Sequence, residues 1–226
     1  MERHPKPDRH SKKIAGESHL NWGQPVGTLV LGTGNRHKAE EIRALLADLP
    51  LQIKTLQDFP NFPEVVEDGE TCQANAIKKA RETSEFTGHW TLADDTGLEV
   101  EALGGRPGVH AARYAGEKAT YADNCRKLLA EMQGVPAVKR AARFVTVMAL
   151  ADPEGNVDVV EGVLDGMITE TFYGSQGFGY DPVFFVMESG KTLAEMTLAE
   201  KNQISHRARA LQRAKDLLKR RVIPNR

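Results

Sequence analysis

The sequence predicts an α/β protein, in which short buried strands alternate with amphipathic helices along a chain of 226 residues. The first observation is a series of short apolar runs bounded by glycine, proline or polar residues, which is typical of buried strands. The second is a series of longer segments whose apolar residues recur at helical spacing and whose ends carry capping residues. The third is the composition, 40% hydrophobic and 27% charged, which is that of a soluble globular protein with a sizeable core.

Charge and cysteine content argue against several classes of protein. Lys+Arg 30 against Asp+Glu 31 gives a net charge of -1, which disfavours a protein whose main task is to coat nucleic acid. Cys72 and Cys125 are too few for a disulfide framework or a zinc cluster, so we expect a reducing, cytoplasmic location. No apolar run approaches membrane-spanning length. Residues 1–27 lack the apolar region of a secretory signal, and we interpret them as a disordered N-terminal extension.

A candidate phosphate-binding loop lies between the first predicted strand and the first predicted helix. Residues 28–31 form a short apolar run, and apolar residues recur at helical spacing from Ala39 until Pro50 ends the helix. The loop between them reads Gly-Thr-Gly-Asn-Arg-His-Lys and ends at Lys38. Backbone N–H groups and the helix dipole favour phosphate at such a place. The Walker pattern is absent, and an ordinary connecting loop is the alternative.

An acidic run precedes the second predicted helix. Residues 51–56 predict a strand, and residues 71–87 predict a helix that Gly88 ends. The loop between them carries Glu64, Glu67, Asp68 and Glu70. Such a run is usually a solvated face, but Glu67 is the member we expect to approach a metal held by Asp95. The predicted helix carries the polar residues Asn75, Lys78 and Lys79.

Two adjacent carboxylates interrupt the third predicted strand. Residues 91–100 form an apolar run that is broken by Asp94, Asp95, Thr96 and Gly97. Because a buried unpaired carboxylate is costly, the pair suggests a site that holds a divalent cation. Adjacent strand residues face opposite sides, so both carboxylates serve one site only if the chain turns, and Gly97 makes a turn possible. A polar β-turn, in which Asp and Thr cap their own backbone, is the alternative.

The second half of the chain predicts a hairpin and a glycine-rich turn. Residues 144–150 and 157–160 predict two strands joined as a hairpin. Three glycines between residues 174 and 182 let the backbone approach a ligand closely, and Phe178 offers a flat surface for a base. A tight turn whose aromatic side chains pack in the core is the alternative.

Capping residues mark the remaining helices. Thr120 precedes one helix, Thr197 begins a capping box, and Ser205 precedes the last helix. This places His206 and Arg207 in the first turn of the last helix, where the helix dipole favours anions. The mismatch of charge predicts a ligand or partner at this end, although an exposed, hydrated pair is the alternative.

Four motifs occur in a fixed order along the chain. They are residues 33–38 (TGNRHK), 93–98 (ADDTGL), 177–182 (GFGYDP) and 200–207 (EKNQISHR). Together they resemble the inosine triphosphatase family, the nucleoside triphosphate pyrophosphatases that act on non-standard purines such as dITP, ITP and XTP. The resemblance covers about residues 28–220, and four motifs in this order make it highly specific.

The resemblance implies a mixed, twisted sheet flanked by helices, with two lobes and the active site in the cleft between them. It implies a single pyrophosphatase domain over residues 28–221 that acts as a homodimer. It implies hydrolysis of the α–β phosphoanhydride with Mg²⁺ to the nucleoside monophosphate and pyrophosphate, which cleanses the nucleotide pool. A purine nucleoside triphosphate is the expected partner, and neither nucleic acid nor a membrane is expected.

The resemblance also assigns roles to residues. Asp95 is the proton acceptor and a metal ligand, and Thr96 contacts the substrate. The triphosphate is bound by Thr33, Gly34, Asn35, Arg36, His37 and Lys38. Apart from the resemblance, phosphoryl chemistry requires charge neutralisation, which Lys38, Lys79 and Mg²⁺ can supply. The base and nucleotide pocket consists of Phe178, Gly179, Tyr180, Asp181, Lys201, His206 and Arg207. The chain departs from the family pattern twice: Thr96 stands where serine is more usual, and Ala74 replaces a glutamate often found just before Asn75.

Two other classes of function fit parts of the sequence. One is a nucleotide-binding regulator without catalysis, which the intact Asp94–Asp95 pair makes less favourable. The other is a nucleic-acid-binding module that uses the basic last helix. The cations of that helix are Arg207, Arg209, Arg213, Lys215, Lys219, Arg220 and Arg221. Charged residues at helix ends are mostly solvated, and the balanced net charge weakens this second alternative.

Overall fold

A computed structural model describes residues 26–223 of the chain. Strands largely alternate with helices in its first half, four strands then follow one another, and a pair of helices ends the described chain. The strands are β1 (Gly27–Leu31), β2 (Leu51–Thr55), β3 (Trp90–Val100), β4 (Pro107–Gly108), β5 (Ala141–Ala151), β6 (Val157–Ile168), β7 (Phe184–Val186) and β8 (Lys191–Thr192). The α-helices are α1 (Arg36–Leu45), α2 (Cys72–Thr87), α3 (Tyr121–Glu131), α4 (Leu198–Ile204) and α5 (His206–Arg221).

The strands form one mixed sheet in the order β2-β1-β3-β5-β6-β7-β8, and β4 pairs with β3. β1 runs parallel to β2 and β3, whereas the remaining pairs are antiparallel. The predicted hairpin of β5 and β6 is therefore confirmed, and it is longer than the apolar runs indicated. The predicted mixed α/β architecture is also confirmed.

The long strands β3, β5 and β6 connect two lobes, each with its own hydrophobic core. At one end, Leu92 of β3 and Leu150 of β5 pack with α1 and α5 in a core that is closed to water. At the other end, Val100 of β3 and Leu164 of β6 pack with α3, β7 and the neighbouring turns. Burial of these apolar side chains stabilises each lobe, and the shared strands hold the two lobes together.

The sheet has a gap beside the middle of β3. β1 pairs with residues 90–92 of β3, and β4 pairs with residues 98–99 on the same side of the strand. Between these positions, residues 93–97 have no strand beside them on that edge in the described part of the chain. The carboxyl end of β1 opens into the same gap, which is where ligands bind in open α/β sheets. The fold therefore provides a site at the two adjacent carboxylates.

The chain does not turn at Gly97, where the sequence made a turn possible and the alternative was a polar β-turn, because β3 continues without a break from Trp90 to Val100. Gly97 pairs with Val145 of β5 as part of a regular ladder. A Cβ at this position would lie 3.1 Å from the Cys72 Sγ and 3.1 Å from the backbone oxygen of Gly108. Glycine is needed here for the close approach of α2 and β4 rather than for a turn.

The predicted helix starts are confirmed by their side-chain caps. Thr71, Thr120, Thr197 and Ser205 each accept a hydrogen bond from a backbone N–H in the first turn of the following helix. The first helix ends at Leu45, earlier than the predicted stop at Pro50.

The first strand extends into the predicted N-terminal extension. β1 begins at Gly27, a residue that the prediction placed in the N-terminal extension, whereas residues 1–25 of that extension lie outside the described residues. Within residues 26–223, no helix has both the length and the apolar character to cross a membrane.

Candidate active site

The gap in the sheet opens into a cleft of about 430 Å³. Most residues that the sequence predicted for the site line this cleft: Thr33, Gly34, Asn35, Lys38, Glu67, Lys79, Asp95, Thr96, Phe178, Gly179, Tyr180, Asp181, Lys201, His206 and Arg207. The lining also includes residues without a predicted role, among them Glu64, Arg113, Tyr121 and Asn124. The fold thus brings together motifs from both ends of the chain.

The loop after β1 is ordered by hydrogen bonds and an ion pair of its own side chains. Asn35 caps α1, because its Oδ1 accepts a hydrogen bond of 3.3 Å from the backbone N–H of Lys38. Thr33 Oγ1 accepts a bond of 3.2 Å from the backbone N–H of Asn35. The Lys38 ammonium lies 2.9 Å from Asp94 Oδ2. This arrangement presents the N-terminus of a helix and a lysine at one end of the cleft, as phosphate binding requires.

Asp95 occupies the opposite side of β3 from Asp94 and faces polar groups of α2. Its carboxylate accepts a 3.4 Å hydrogen bond from Asn75 Nδ2 and lies 3.5 Å from Lys79 Nζ. Lys79 Nζ also lies 3.1 Å from Glu67 Oε2. Burial opposes the charged form of Lys79, but Asp95, Asp94 and Glu67 outweigh it and raise the pKa of this lysine. Two carboxylates therefore converge on one cation at the floor of the cleft.

Asp94 is fully buried and belongs to an ion pair rather than to the cleft. Burial alone would raise its pKa, but the neighbouring Lys38, Arg207 and Lys79 lower the pKa of this carboxyl to about 2. The Asp94 carboxylate remains ionised at neutral pH and stabilises the cations that surround it. Thr96, two residues further along the strand, shares a 2.8 Å hydrogen bond between its hydroxyl and that of Thr146.

Glu41 is a site residue that the sequence analysis missed. It is buried on α1, and its carboxylate accepts hydrogen bonds from Lys201 Nζ, at 3.0 Å, and from Arg207 Nη1. Lys201 also donates a 2.6 Å bond to Asp181 Oδ2. The sequence contains a signal that could have identified Glu41. This residue lies three positions after Lys38 and four before Leu45, a spacing that places it on the inward face of the helix. A glutamate on that face requires a buried cation as its partner.

Phe178 stands at the centre of an aromatic and cationic cluster. The His37 ring stacks on it with the centroids 5.3 Å apart, and the Tyr121 ring lies 5.8 Å away. Lys201 Nζ lies 4.8 Å and the Arg207 guanidinium carbon 5.4 Å from the centroid of the same ring. Cations are attracted to the electron-rich face of an aromatic ring, so the two cationic contacts are favourable. His37 is thus placed against Phe178 rather than in the lining of the cleft.

Arg36 is a predicted site residue that does not line the cleft. Its side chain is 83% exposed and pairs with Glu40 at 3.0 Å on the outer face of α1. The guanidinium is therefore engaged with the exposed surface of the helix, and only the backbone of Arg36 belongs to the predicted anion site.

The turn after the glycine-rich segment is fixed by buried hydrogen bonds. Asp181 Oδ2 accepts a 2.9 Å bond from the backbone N–H of Phe178, and burial raises the pKa of this carboxyl in spite of Lys201. The Tyr180 hydroxyl donates a 2.9 Å bond to the backbone oxygen of Ala111. Asp181 and Tyr180 therefore hold the loop that carries Phe178 and Gly179.

The sequence suggested two unmatched cations, His206 and Arg207, in the first turn of α5. The structure shows that they are not unmatched. Arg207 is paired with Glu41, and its Nε lies 3.8 Å from Asp94 Oδ2. Burial and the nearby cations lower the pKa of His206 well below its ordinary value, so this histidine is neutral at pH 7. Its ring stacks on Phe144, with the centroids 4.4 Å apart. Internal carboxylates thus supply the partner that the charge mismatch predicted.

The fold and the cleft define an α/β protein that combines a phosphate-type loop, converging carboxylates and a flat aromatic ring in one cavity. This is the set of groups expected for a protein that binds a phosphorylated, planar ligand. A model of the Ham1 family matches residues 29–217, and the chain belongs to this family. The family resemblance inferred from the four motifs is thereby confirmed.

Similar proteins cover almost the whole of the described chain. A dITP/XTP pyrophosphatase from Desulforamulus reducens is 48% identical over 195 residues, which are 86% of this chain and 97% of the relative. A dITP/XTP pyrophosphatase from Geobacter sulfurreducens is 50% identical over 84% of this chain and 96% of its own length. Among solved structures, a HAM1 protein from Coxiella burnetii has a TM-score of 0.79 at 38% identity, covering 85% of this chain and 98% of its own.

Proposed function

We propose that the protein hydrolyses non-standard purine nucleoside triphosphates, such as dITP, ITP and XTP, to the monophosphate and pyrophosphate. The observation that carries the proposal is the cleft itself, because the loop that ends at Lys38 and the carboxylates of Asp95 and Glu67 line the same cavity. The relatives named dITP/XTP pyrophosphatase support the choice of substrate. Hydrolysis of this kind would remove such nucleotides from the nucleotide pool.

The triphosphate binds at the end of the cleft formed by the loop after β1. Backbone N–H groups at the start of α1 and the ammonium groups of Lys38 and Lys79 supply the positive charge that a triphosphate requires. Lys79 keeps its proton at neutral pH because the surrounding carboxylates raise its pKa against the effect of burial. The phosphate chain is therefore directed toward Asp95.

Asp95 is suited to act as the general base. Its carboxylate lines the cleft and is oriented by the side-chain amide of Asn75 and by Lys79. A water molecule attacks the α-phosphorus, its proton passes to an oxygen of Asp95, and the bond between the α-phosphorus and the bridging oxygen breaks. Pyrophosphate leaves with the electron pair of that bond. No covalent nucleophile is needed, and burial and Asp95 raise the pKa of the nearby Cys72 thiol to about 12.

The residues present fit a magnesium ion held by Asp95 and Glu67. Both carboxylates approach the same ammonium, at 3.5 and 3.1 Å, so they face one point in the cleft. Mg²⁺ is typically bound through one or two carboxylates together with substrate phosphates. Among residues 26–223, no three His, Cys, Asp or Glu side chains cluster as a metal site by themselves, so substrate phosphates would have to complete the coordination. When bound, the ion neutralises phosphate charge.

The base occupies the part of the cleft beside Phe178 and the first turn of α5. Phe178 offers a ring for stacking on any purine. Arg207 Nε and His206 Nδ1 are buried and have no hydrogen-bond partner among the described residues. A 6-oxo purine supplies an acceptor to a donor at this end, whereas the 6-amino group of adenine places a second donor there. This difference favours ITP over ATP.

The nucleic-acid alternative is weakened by the internal contacts of α5. Arg209 Nη1 donates to the backbone oxygen of Val163 at 3.0 Å, and Arg213 Nη1 donates to that of Glu161 at 2.7 Å. These arginines cover carbonyl groups on the edge of β6 instead of forming a free basic surface. We infer a homodimer from the family resemblance, and a reducing, cytoplasmic location from the two free cysteines.

The test is incubation with dITP and Mg²⁺, followed by measurement of pyrophosphate and monophosphate. We expect equal amounts of both products from dITP, ITP and XTP, and much slower release from dATP. The Asp95→Asn variant serves as the matched control. Release of inorganic phosphate with a nucleoside diphosphate would contradict the proposed bond, and tight binding without product would indicate a regulator.

A further inference from the structure

The loop that carries Glu67 has little structure of its own. Residues 59–71 contain neither helix nor strand, and Glu64 and Glu67 from this segment line the cleft. We call residues 63–70 the acidic loop. A segment of this kind holds a side chain in one place only if contacts with the rest of the protein fix it. The contacts of the acidic loop therefore decide where the Glu67 carboxylate lies.

One set of contacts comes from α2, the helix that follows the loop. Asn75 Oδ1 accepts a 2.8 Å hydrogen bond from the backbone N–H of Gly69. Lys78 Nζ lies 2.7 Å from Asp68 Oδ1, and Lys79 Nζ lies 3.1 Å from the Glu67 carboxylate. All three contacts are made by neighbours in sequence on one side of the loop.

The contact from the other side is made by Arg113. Its Nη2 donates a 3.0 Å hydrogen bond to the backbone oxygen of Glu67, which is 46 residues away in sequence. Arg113 ends the short turn Ala111–Arg113, and Ala111 is part of the hydrophobic core of the other lobe. The arginine therefore connects that lobe to the acidic loop across the cleft, which its own side chain helps to line.

The remaining contact of Arg113 is weak by comparison. Its Nε lies 3.7 Å from Glu117 Oε1, and the Glu117 side chain is 85% exposed. An ion pair at such an exposed carboxylate is screened by solvent and contributes little. The hydrogen bond to a carbonyl group, with a charged donor on a side chain that is only 31% exposed, is the stronger of the two. The stronger contact of Arg113 is therefore the one with the acidic loop.

We propose that Arg113 is a positioning residue that fixes the acidic loop and so places Glu67 opposite Asp95. Lys79 attracts the Glu67 carboxylate from α2, while Arg113 holds the backbone of the same residue from the other lobe. The proposal rests on the proposed function, because the value of a fixed Glu67 lies in the cation and phosphates that it faces.

The experiment compares Arg113→Ala and Arg113→Lys with Arg106→Ala as the matched control. Arg106 is 61% exposed, pairs with Glu131 at 3.1 Å, and does not line the cleft. Hydrogen–deuterium exchange is measured on peptides covering residues 63–70 and, as a check of global folding, on peptides of α5. kcat and KM for dITP are measured over a range of Mg²⁺ concentrations.

We expect faster exchange in the acidic loop of Arg113→Ala, unchanged exchange in α5, and a fall in kcat of about 10- to 100-fold with a smaller change in KM. Arg113→Lys should recover part of both effects, because an ammonium group can donate to the same carbonyl oxygen. Arg106→Ala should match the wild type in all measurements.

Unchanged exchange of residues 63–70 in Arg113→Ala would overturn the proposal, whatever the activity. A loosened loop with wild-type kcat would also overturn it. If Arg113→Ala loses structure in α5, the Arg113→Lys variant decides. Faster exchange of residues 63–70 together with a lower kcat than that of the wild type supports the role, and a change in only one of the two, or in neither, overturns it. Failure of the wild type to hydrolyse dITP would refute the proposed function alone, because the exchange result does not depend on turnover.

Discussion

Asp94 and Asp95 are adjacent in β3, and their carboxylates lie on opposite sides of the strand. Asp94 is completely buried and lies 2.9 Å from the ammonium of Lys38. Asp95 lines the cleft, where its contacts with Lys79, at 3.5 Å, and Asn75, at 3.4 Å, are longer. The charge of Asp94 is matched within the protein, whereas Asp95 is available to a ligand.

The difference shows that a pair of identical residues can hold two separate functions. Because side chains alternate along a strand, a continuous β3 sends one carboxylate into the ion pairs beneath the phosphate loop and the other into the cleft. We propose that the first carboxylate fixes the cations that face the substrate and that the second acts as the general base. The same division recurs on α1, where Glu40 is exposed and Glu41 is buried.

The largest effect is expected for Asp95→Asn. We expect turnover of dITP to fall by about 10²–10⁴-fold, because an amide of the same shape cannot accept the proton from water. Steady-state pyrophosphate release measures the loss, and dITP binding by calorimetry should change far less. Turnover within a few-fold of the wild type would remove Asp95 from the mechanism.

Glu41→Gln should produce the next largest effect. The substitution leaves Lys201 and Arg207 without the carboxylate that both contact, and breaking a buried ion pair from one side costs about 3–5 kcal/mol. We expect a loss of this size in the free energy of unfolding, measured by urea denaturation. The control is Glu40→Gln, whose exposed pair with Arg36 is worth about 1 kcal/mol or less. Equal losses in the two variants would contradict the assignment.

A smaller effect concerns acid stability. The pKa of Asp94 is lowered to about 2 in the folded protein, so its contribution to stability is complete above the ordinary pKa of an aspartate. The contribution is lost as the pH falls from about 5 toward 2, because the unfolded chain binds the proton first. We expect the difference in unfolding free energy between the wild type and Asp94→Asn to shrink by about 2 kcal/mol over this range. A difference that is independent of pH would contradict the ion pair.

Local signals in the sequence predicted much of the fold. The caps at Thr120, Thr197 and Ser205 are confirmed because each depends on hydrogen bonds within four residues. The interpretation of Gly97 as a turn residue is wrong. Glycine is needed there because Cys72 and Gly108 pack closely against the strand, and the local sequence does not encode this contact.

The site was predictable to the extent that its residues lie in motifs. Glu41 was missed because its partners, Lys201 and Arg207, lie 160 and 166 residues away along the chain. The role of Arg113 is hidden for the same reason, since its contact with Glu67 spans 46 residues. Which buried charges meet over such sequence distances depends on the order of the strands in the sheet. Helical spacing shows which residues face inward, but it does not identify their distant partners.

The most direct test of the division between the two carboxylates is to measure thermal unfolding of Asp94→Asn and Asp95→Asn side by side with the wild type at pH 7. Loss of the buried ion pair should lower the midpoint of Asp94→Asn by about 10 °C, given about 3 kcal/mol for the pair in a chain of this size. The midpoint of Asp95→Asn should stay close to that of the wild type. Equal destabilisation of the two variants, or a lower midpoint for Asp95→Asn, would contradict the account.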